Sequence, residues 1–260
     1  MINFDNQNSL KKIKNILEKE SKLIKLENFK KVIFVGDTHG DLDASQKVIK
    51  DFLRPGNGIV FLGDYVDRGP QSRENLDYLL AEEQKFPEQV YLLQGNHEGY
   101  PILEFSPADF WENLSPSDYE KYSLIVEKMP LALVAEDIVA LHGCLPDVKN
   151  LKEINEIKLG KEQWQQIVWG DFVTDQGKFL GFDSFTGRPQ FGRDWFFEIM
   201  EKLNKKVLIR SHQPDTPRFI FNDRCLTIFT SSAYTHERTI AIADFSKKIE
   251  TARDLEIKNL

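Results

Sequence analysis

The run Gly63-Asp64-Tyr65-Val66-Asp67-Arg68-Gly69, entered through Ile59-Val60-Phe61-Leu62, decides the fold. A short β-branched and aromatic run that ends at a glycine reads as a buried strand giving way to a loop. That loop carries two carboxylates and an arginine within five residues. Such a concentration of charge does little for stability. It suits a cation held by the carboxylates and a phosphate held by the arginine.

The same device recurs along the chain. Val32-Ile33-Phe34-Val35 runs into Gly36-Asp37-Thr38-His39-Gly40, and Val90-Tyr91-Leu92-Leu93 runs through Gln94 into Gly95-Asn96-His97-Glu98. Ile138-Val139-Ala140-Leu141 ends at His142-Gly143, and Val207-Leu208-Ile209 ends at Arg210-Ser211-His212. In open α/β sheets, ligands bind beyond the carboxyl ends of the strands. These strand ends are therefore expected to deliver Asp, Asn and His to one place.

Helix-sized segments separate the first three strands. Asp41 is placed to cap a helix bearing Leu42, Val48, Ile49, Phe52 and Leu53, and Ser72 to cap one bearing Leu76, Leu79 and Leu80. Strand-helix-strand order predicts parallel pairing with right-handed crossovers. Residues 9–28 read as an N-terminal helix, with residues 1–30 a helical extension packed on the domain edge. Residues 100–130, rich in proline and aromatics, read as a helical insert starting near Ser115-Pro116. Tyr100, Phe105, Phe110, Trp111, Tyr119 and Tyr122 would form its core or, alternatively, line a substrate groove. Further on, a hairpin is expected around Glu136-Asp137, a glycine-rich loop over 173–192 and a helix face at Trp195, Phe196, Ile199, Met200 and Leu203. Short strands near 206–210, 218–221, 225–230 and 238–243 predict a second sheet with antiparallel pairs. No internal repeat or linker interrupts the chain. The expectation is one α/β domain over 1–260, two packed sheets with outer helices.

The chain has 260 residues, 41% hydrophobic and 29% charged, a globular composition. A net charge of -7 argues against a broad surface for nucleic acid or anionic lipid. No apolar run approaches the roughly 20 residues of a membrane span. The lysine-rich N-terminus shows no signal-peptide pattern. The two cysteines, Cys144 and Cys225, form no CxxC, which argues against a disulfide framework and suits a reducing cytoplasm.

Asp37, His39, Asp64, Asn96, His142 and His212 make a hard, thiolate-free ligand set suited to two divalent ions, Mn²⁺ foremost with Fe or Zn²⁺ as alternatives. Asp64, on the central strand of the first three, is the natural bridge between ions roughly 3.5–4 Å apart. Arg68 is placed to grip phosphate through its planar fork. His97 lies next to a ligand rather than on the metal. It is a candidate proton donor to the leaving alkoxide, with Asp67 as its orienting partner.

Gly36-Asp-Thr-His-Gly40, Gly63-Asp-Tyr-Val-Asp-Arg-Gly69 and Gly95-Asn-His-Glu98 resemble the motifs of the phosphoprotein phosphatase family of serine/threonine phosphatases, within the calcineurin-like metallophosphoesterases. The resemblance runs from about residue 31 to 243. It includes His142-Gly143, Trp169-Gly-Asp171 and Arg210-Ser-His212. It implies an α/β/β/α sandwich of two mixed sheets flanked by helices, with a dinuclear metal centre. Asp37, His39 and Asp64 would hold one metal, and Asp64, Asn96, His142 and His212 the other. His97 with Asp67 would be the acid pair and Arg68 a phosphate clamp. A second clamp would be Arg188, ahead of Phe191-Gly192, or its competitor Arg210.

Several positions depart from the family pattern. Gln94 stands where the family usually has arginine. Cys144 replaces a common glycine and reads as a buried free thiol. The family's substrate-shaping loop is shortened to Ser231-Ser-Ala-Tyr234. These departures resemble a prokaryotic or archaeal member. The implied activity is hydrolysis of phosphoserine and phosphothreonine in phosphoproteins by direct attack of a dimetal-bound hydroxide. A dinucleoside polyphosphate hydrolase on the same site is the alternative, and a catalytically dead phosphopeptide-binding protein is a further one.

Overall fold

A computed structural model describes residues 7–234 and 237–260. The chain runs α1 (Gln7–Leu17), β1 (Leu23–Leu26), β2 (Lys31–Val35), α2 (Leu42–Phe52), β3 (Asn57–Phe61), α3 (Ser72–Lys85) and β4 (Val90–Leu92). It continues through α4 (Asp109–Glu112), α5 (Pro116–Val126), β5 (Ala132–Ala135), β6 (Ile138–Leu141), α6 (Glu162–Trp169), β7 (Asp171–Phe172), β8 (Phe179–Phe182) and β9 (Pro189–Phe191). It ends with α7 (Arg193–Leu203), β10 (Val207–Arg210), β11 (Phe219–Ile220), β12 (Cys225–Thr227), β13 (Thr239–Asp244) and β14 (Glu256–Asn259).

One sheet has the order β14-β13-β2-β3-β4, with β2, β3 and β4 parallel and β13 antiparallel to β2. A second has the order β1-β5-β6-β10-β12-β11, with β10 parallel to both β6 and β12. Strand alternation divides each apolar run between two cores. Ile33, Val35, Ile59 and Phe61 pack on side chains of α1, α2, α3 and α5. Val32, Phe34, Val60 and Leu62 face Leu133, Ala140, Ile209 and Leu226 of the second sheet. That sheet's outer face, including Val139, Leu141 and Leu208, meets Trp164, Ile167, Phe196 and Met200 of α6 and α7. The result is an α/β/β/α sandwich. Strands covered on both faces read as continuous apolar runs, which is why these were visible in the sequence.

Four expectations change. The N-terminal helix ends at Leu17, and Leu23–Leu26 is instead a strand parallel to β5. Leu23 packs on one side of the second sheet while Ile24 and Leu26 pack on the other, so no single helical stripe exists there. Residues 173–192 are not all loop. β8 and β9 form a hairpin that joins β7 in a small third sheet. The 238–243 strand belongs to the first sheet, where it pairs with β2 and, on its other edge, with the unforeseen β14. Ser115 caps α5 and Asp41 caps α2 as expected, but the Ser72 side chain does not cap α3. Among the described residues, no helix is long and apolar enough to cross a membrane.

Phe34 is fully buried between the sheets, whereas Phe185 is 97% exposed. Phe34→Ala is expected to lower unfolding free energy by about 3–5 kcal/mol, and Phe185→Ala to change it by no more than about 0.5 kcal/mol. Denaturant titration of both variants checks this.

Candidate metal centre

The loops after β2, β3, β4, β6 and β10 converge because glycines let their backbones touch. Gly63 has φ +106°, and a Cβ there would lie 2.5 Å from the Gly95 nitrogen. A Cβ on Gly95 would lie 2.3 Å from Asp64 Oδ1. No other residue fits either place. The backbone is also held in left-handed conformations at His39, Asp64, Asp67, Arg68 and His212. Each costs on the order of 1–2 kcal/mol for an L-residue. Strain of this kind persists only where surrounding contacts over-determine it. Here Glu98 supplies much of that hold: its carboxylate accepts from the N–H groups of Asp64 (2.7 Å), Tyr65 (2.9 Å) and Gly95 (3.1 Å). Asn75 of α3 donates to Thr38 Oγ1 and the Tyr65 carbonyl, tying the first two loops together. Ser72 is the first residue of α3, with Gln71 at the N-cap position, and its Oγ accepts instead from the Asp67 N–H at 2.9 Å.

Two groups of candidate ligand atoms share Asp64 Oδ2. His39 Nε2 lies 3.7 Å from Asp37 Oδ2 and 3.7 Å from Asp64 Oδ2. His142 Nε2 lies 3.4 Å from Asp64 Oδ2, 3.1 Å from Asn96 Oδ1 and 3.1 Å from His212 Nδ1. All six residues are buried. His39 Nδ1 donates to the Val66 carbonyl at 2.8 Å and His142 Nδ1 to the Leu62 carbonyl at 2.9 Å. A carbonyl only accepts, so these bonds fix the Nδ1 protons and turn both Nε2 atoms inward. His212 Nε2 faces Asp171 Oδ1 at 3.4 Å, leaving Nδ1 towards the cluster.

Carboxylate, amide and imidazole donor atoms thus crowd together with little to donate to one another. This mixed oxygen and imidazole set, without thiolate, suits Mn²⁺, Fe or Zn²⁺, and the residues fit such ions. The electrostatics agree. Burial lowers the His39 pKa, but the Asp37 hydrogen bond and the Asp64 and Asp37 charges outweigh it and raise it to about 9. Burial raises Asp64, but His142, His97 and His39 hold it well below the usual carboxylate range. His212 is held well below its ordinary value by burial and by Arg188, His142 and Arg210, so it stays neutral. The buried carboxylates demand positive charge, from protonated imidazoles or from cations.

His97 sits at the edge of this cluster, its Nε2 3.9 Å from Asp64 Oδ2. Its Nδ1 meets Asp67 Oδ2 at 2.5 Å. Arg68 is exposed at the mouth, where its Nε donates to Tyr234 Oη at 3.0 Å and its Nη1 to the Pro107 carbonyl at 2.9 Å. Tyr234 also packs edge-on to His39. Arg188 reaches Asp171 Oδ1 at 3.8 Å and covers the Trp169 ring. Arg210 is not at the mouth. It is fully buried, lies over Phe172 and bonds to Gln213. Asp171 and Glu98 stand out in the sequence only as members of motifs, and no pattern there singles out Asn75. Gln94 is a buried crosslink, donating to the Val126 carbonyl and accepting from Trp164 Nε1. Cys144 is a buried free thiol, its pKa pushed well up by burial.

The sequence profile of the family described as calcineurin-like phosphoesterase matches residues 30–216. The chain is 28% identical over 228 residues to a protein of Encephalitozoon cuniculi named "Probable serine/threonine-protein phosphatase". That match takes in 82% of this chain and 49% of the relative, so the chain spans about half that relative's length. It is 25% identical over 254 residues to a catalytic subunit of protein phosphatase 2A from Dictyostelium discoideum, covering 92% of this chain and 80% of that one. A solved protein serine/threonine phosphatase from Saccharomyces cerevisiae, with similarity to human phosphatase PP5, superposes with a TM-score of 0.81 at 20% identity. It covers 97% of this chain and 87% of its own.

Asp64→Asn is expected to lower bound Mn²⁺, measured by elemental analysis after dialysis, well below the wild-type value, with activity lost. Wild-type metal content with near wild-type turnover would refute the shared-ligand assignment. Arg188→Ala is expected to reduce kcat/KM about 10–100-fold with an unchanged melting temperature. Arg210→Ala is expected to lower the melting temperature.

Proposed function

Because the chain belongs to the calcineurin-like phosphoesterase family, we propose that it is a metal-dependent phosphoprotein phosphatase hydrolysing phosphoserine and phosphothreonine monoesters. The observation that carries this reading is one carboxylate oxygen, Asp64 Oδ2, shared by two ligand groups beside a buried His-Asp pair. The protein phosphatase names of the relatives support it.

Asp37, His39 and Asp64 would hold one ion, and Asp64, Asn96, His142 and His212 the other. Mn²⁺ suits this oxygen- and nitrogen-rich set, with Fe or Zn²⁺ as alternatives. When bound, the ions supply Lewis acidity to the phosphoryl oxygens and lower the pKa of a water. Arg68, steadied by Tyr234 and the Pro107 carbonyl, offers its guanidinium to the phosphate. Arg188, held by Asp171 and the Trp169 ring, adds a second cation. Asp67 holds His97 through Nδ1 and favours its doubly protonated form, so from the imidazolium Nε2 is the atom that would pass a proton to the departing oxygen. A serine or threonine alkoxide is a poor leaving group, so this proton matters most for the phosphoprotein substrate.

One observation favours a second reading, a dinucleoside polyphosphate hydrolase. A groove of about 220 Å³ beside the site is lined by Leu103, Phe105, Trp169 and Arg188, among others. An aromatic wall next to a guanidinium suits a nucleobase and its phosphates as well as a peptide side chain.

The Mn²⁺-loaded protein, given a phosphothreonine peptide and diadenosine tetraphosphate side by side, is expected to turn over the peptide faster, read as phosphate from the peptide and as mononucleotide products (ADP, or ATP with AMP) from the dinucleotide. Preference for the dinucleotide would move the function to the second reading. His97→Asn is expected to retain metal and to slow the phosphothreonine peptide by about 10²-fold or more, while slowing p-nitrophenyl phosphate far less. Equal slowing of both substrates would remove His97 from the acid role.

A further inference from the structure

The aromatic insert reaches the His97–Asp67 pair with two hydrogen bonds, both from α4. The Phe110 N–H donates to Asp67 Oδ1 at 2.6 Å. The Trp111 indole Nε1–H donates to the His97 carbonyl at 2.7 Å. Asp67, fully buried, therefore has its oxygens divided: Oδ1 takes the Phe110 amide and Oδ2 takes the imidazole. Rotation of that carboxylate would break both bonds at once.

His97 is clamped at both ends of its backbone. Its N–H donates to Asp64 Oδ1 at 2.9 Å, and its carbonyl accepts from Trp111 at 2.7 Å and from the Tyr100 N–H at a longer 3.4 Å. Its ring meets Phe105 edge-on at 4.9 Å and His39 at 4.8 Å. Trp111 is itself rigidly seated. It is 2% exposed, stacked on Tyr100 at 5.7 Å with the planes 8° apart, and edge-on to Phe110 and Tyr119.

We propose that Trp111 is a positioning residue for the proton donor: its indole N–H sets where the His97 backbone sits, and so where the imidazole meets the leaving oxygen. The Trp111 indole N–H bonds to the His97 carbonyl and not to any of the six candidate metal ligands. Its effect passes through His97, and the inference rests on the acid role given to His97 above. Proton transfer and attack geometry are steep functions of position, with about 1 Å of misplacement costing on the order of 10²-fold. Loss of the indole bond leaves the Asp64 and Tyr100 bonds to the His97 backbone in place, so His97 is expected to move by less than that.

The test removes the indole N–H while keeping the ring. Trp111→Phe is the simple variant. Benzothienylalanine incorporated at 111, with sulfur in place of N–H, keeps the bicyclic shape and decides the matter if the phenylalanine variant fails to fold. With metal content and KM unchanged, kcat on a phosphothreonine peptide is expected to fall about tenfold. On p-nitrophenyl phosphate, whose leaving group needs little protonation, kcat is expected to stay within about twofold. In a His97→Asn background the same change is expected to have no further effect on either substrate. Equal losses on both substrates, or a peptide-selective loss that persists without His97, would overturn the proposal. A His97→Asn variant that slows both substrates equally would instead sink the acid role beneath it. A selective His97→Asn effect with unaltered Trp111 variants would sink the positioning role alone.

Discussion

A buried carboxylate, Asp64, sits among three imidazoles, and the rest of the molecule is arranged around that fact. It is 2% exposed, and burying a lone carboxylate would be prohibitive without compensating charge. His39, His97 and His142 stand within 3.9 Å of its Oδ2. Its Oδ1 takes the His97 N–H, and its own N–H is held by Glu98. The left-handed backbone at Asp64 and the glycine contact between Gly63 and Gly95 are what this packing demands.

The fold meets that demand by placing strand ends rather than by shaping a pocket. Three parallel strands of one sheet bring Asp37 and His39, Asp64, and Asn96 and His97 to a single edge. The facing sheet brings His142 and His212 from β6 and β10. The layer of Val32, Phe34, Val60, Leu62, Leu133, Ala140, Ile209 and Leu226 holds the two edges in register. A packed interior of this kind has low compressibility, so it sets distances that flexible loops could not. Residues 100–130, the end of α6 and the β8–β9 hairpin then supply the walls: Phe105 and Trp111 beside the His97–Asp67 pair, with Trp169 in edge-on contact with Phe105 and covered by Arg188.

The strand-loop motifs were legible because each pairs a doubly buried strand with a glycine and a chemical group at a fixed offset. That pattern located all six candidate ligands, the His-Asp pair and Arg68. Other features depend on tertiary neighbours. Leu23–Leu26 divides its side chains between two cores, so its spacing imitated the end of a helix. β8 exposes most of its side chains and has no apolar period to read. Asp171 and Glu98 act through orientation, which spacing does not encode. Arg210 carried a readable signal: it shares strand parity with Leu208, and that parity aims it at the outer core rather than the mouth. The aromatics of residues 100–122 carry the signature of packing in the sequence. Their further contribution, two donors aimed at Asp67 and His97, becomes visible only in three dimensions.

The most direct test of the shared carboxylate is anomalous diffraction from crystals of this protein soaked in Mn²⁺. Two manganese peaks are expected about 3.5–4 Å apart, with the Asp64 carboxylate between them. A single peak, or two peaks of which only one contacts Asp64, would contradict the shared-ligand assignment.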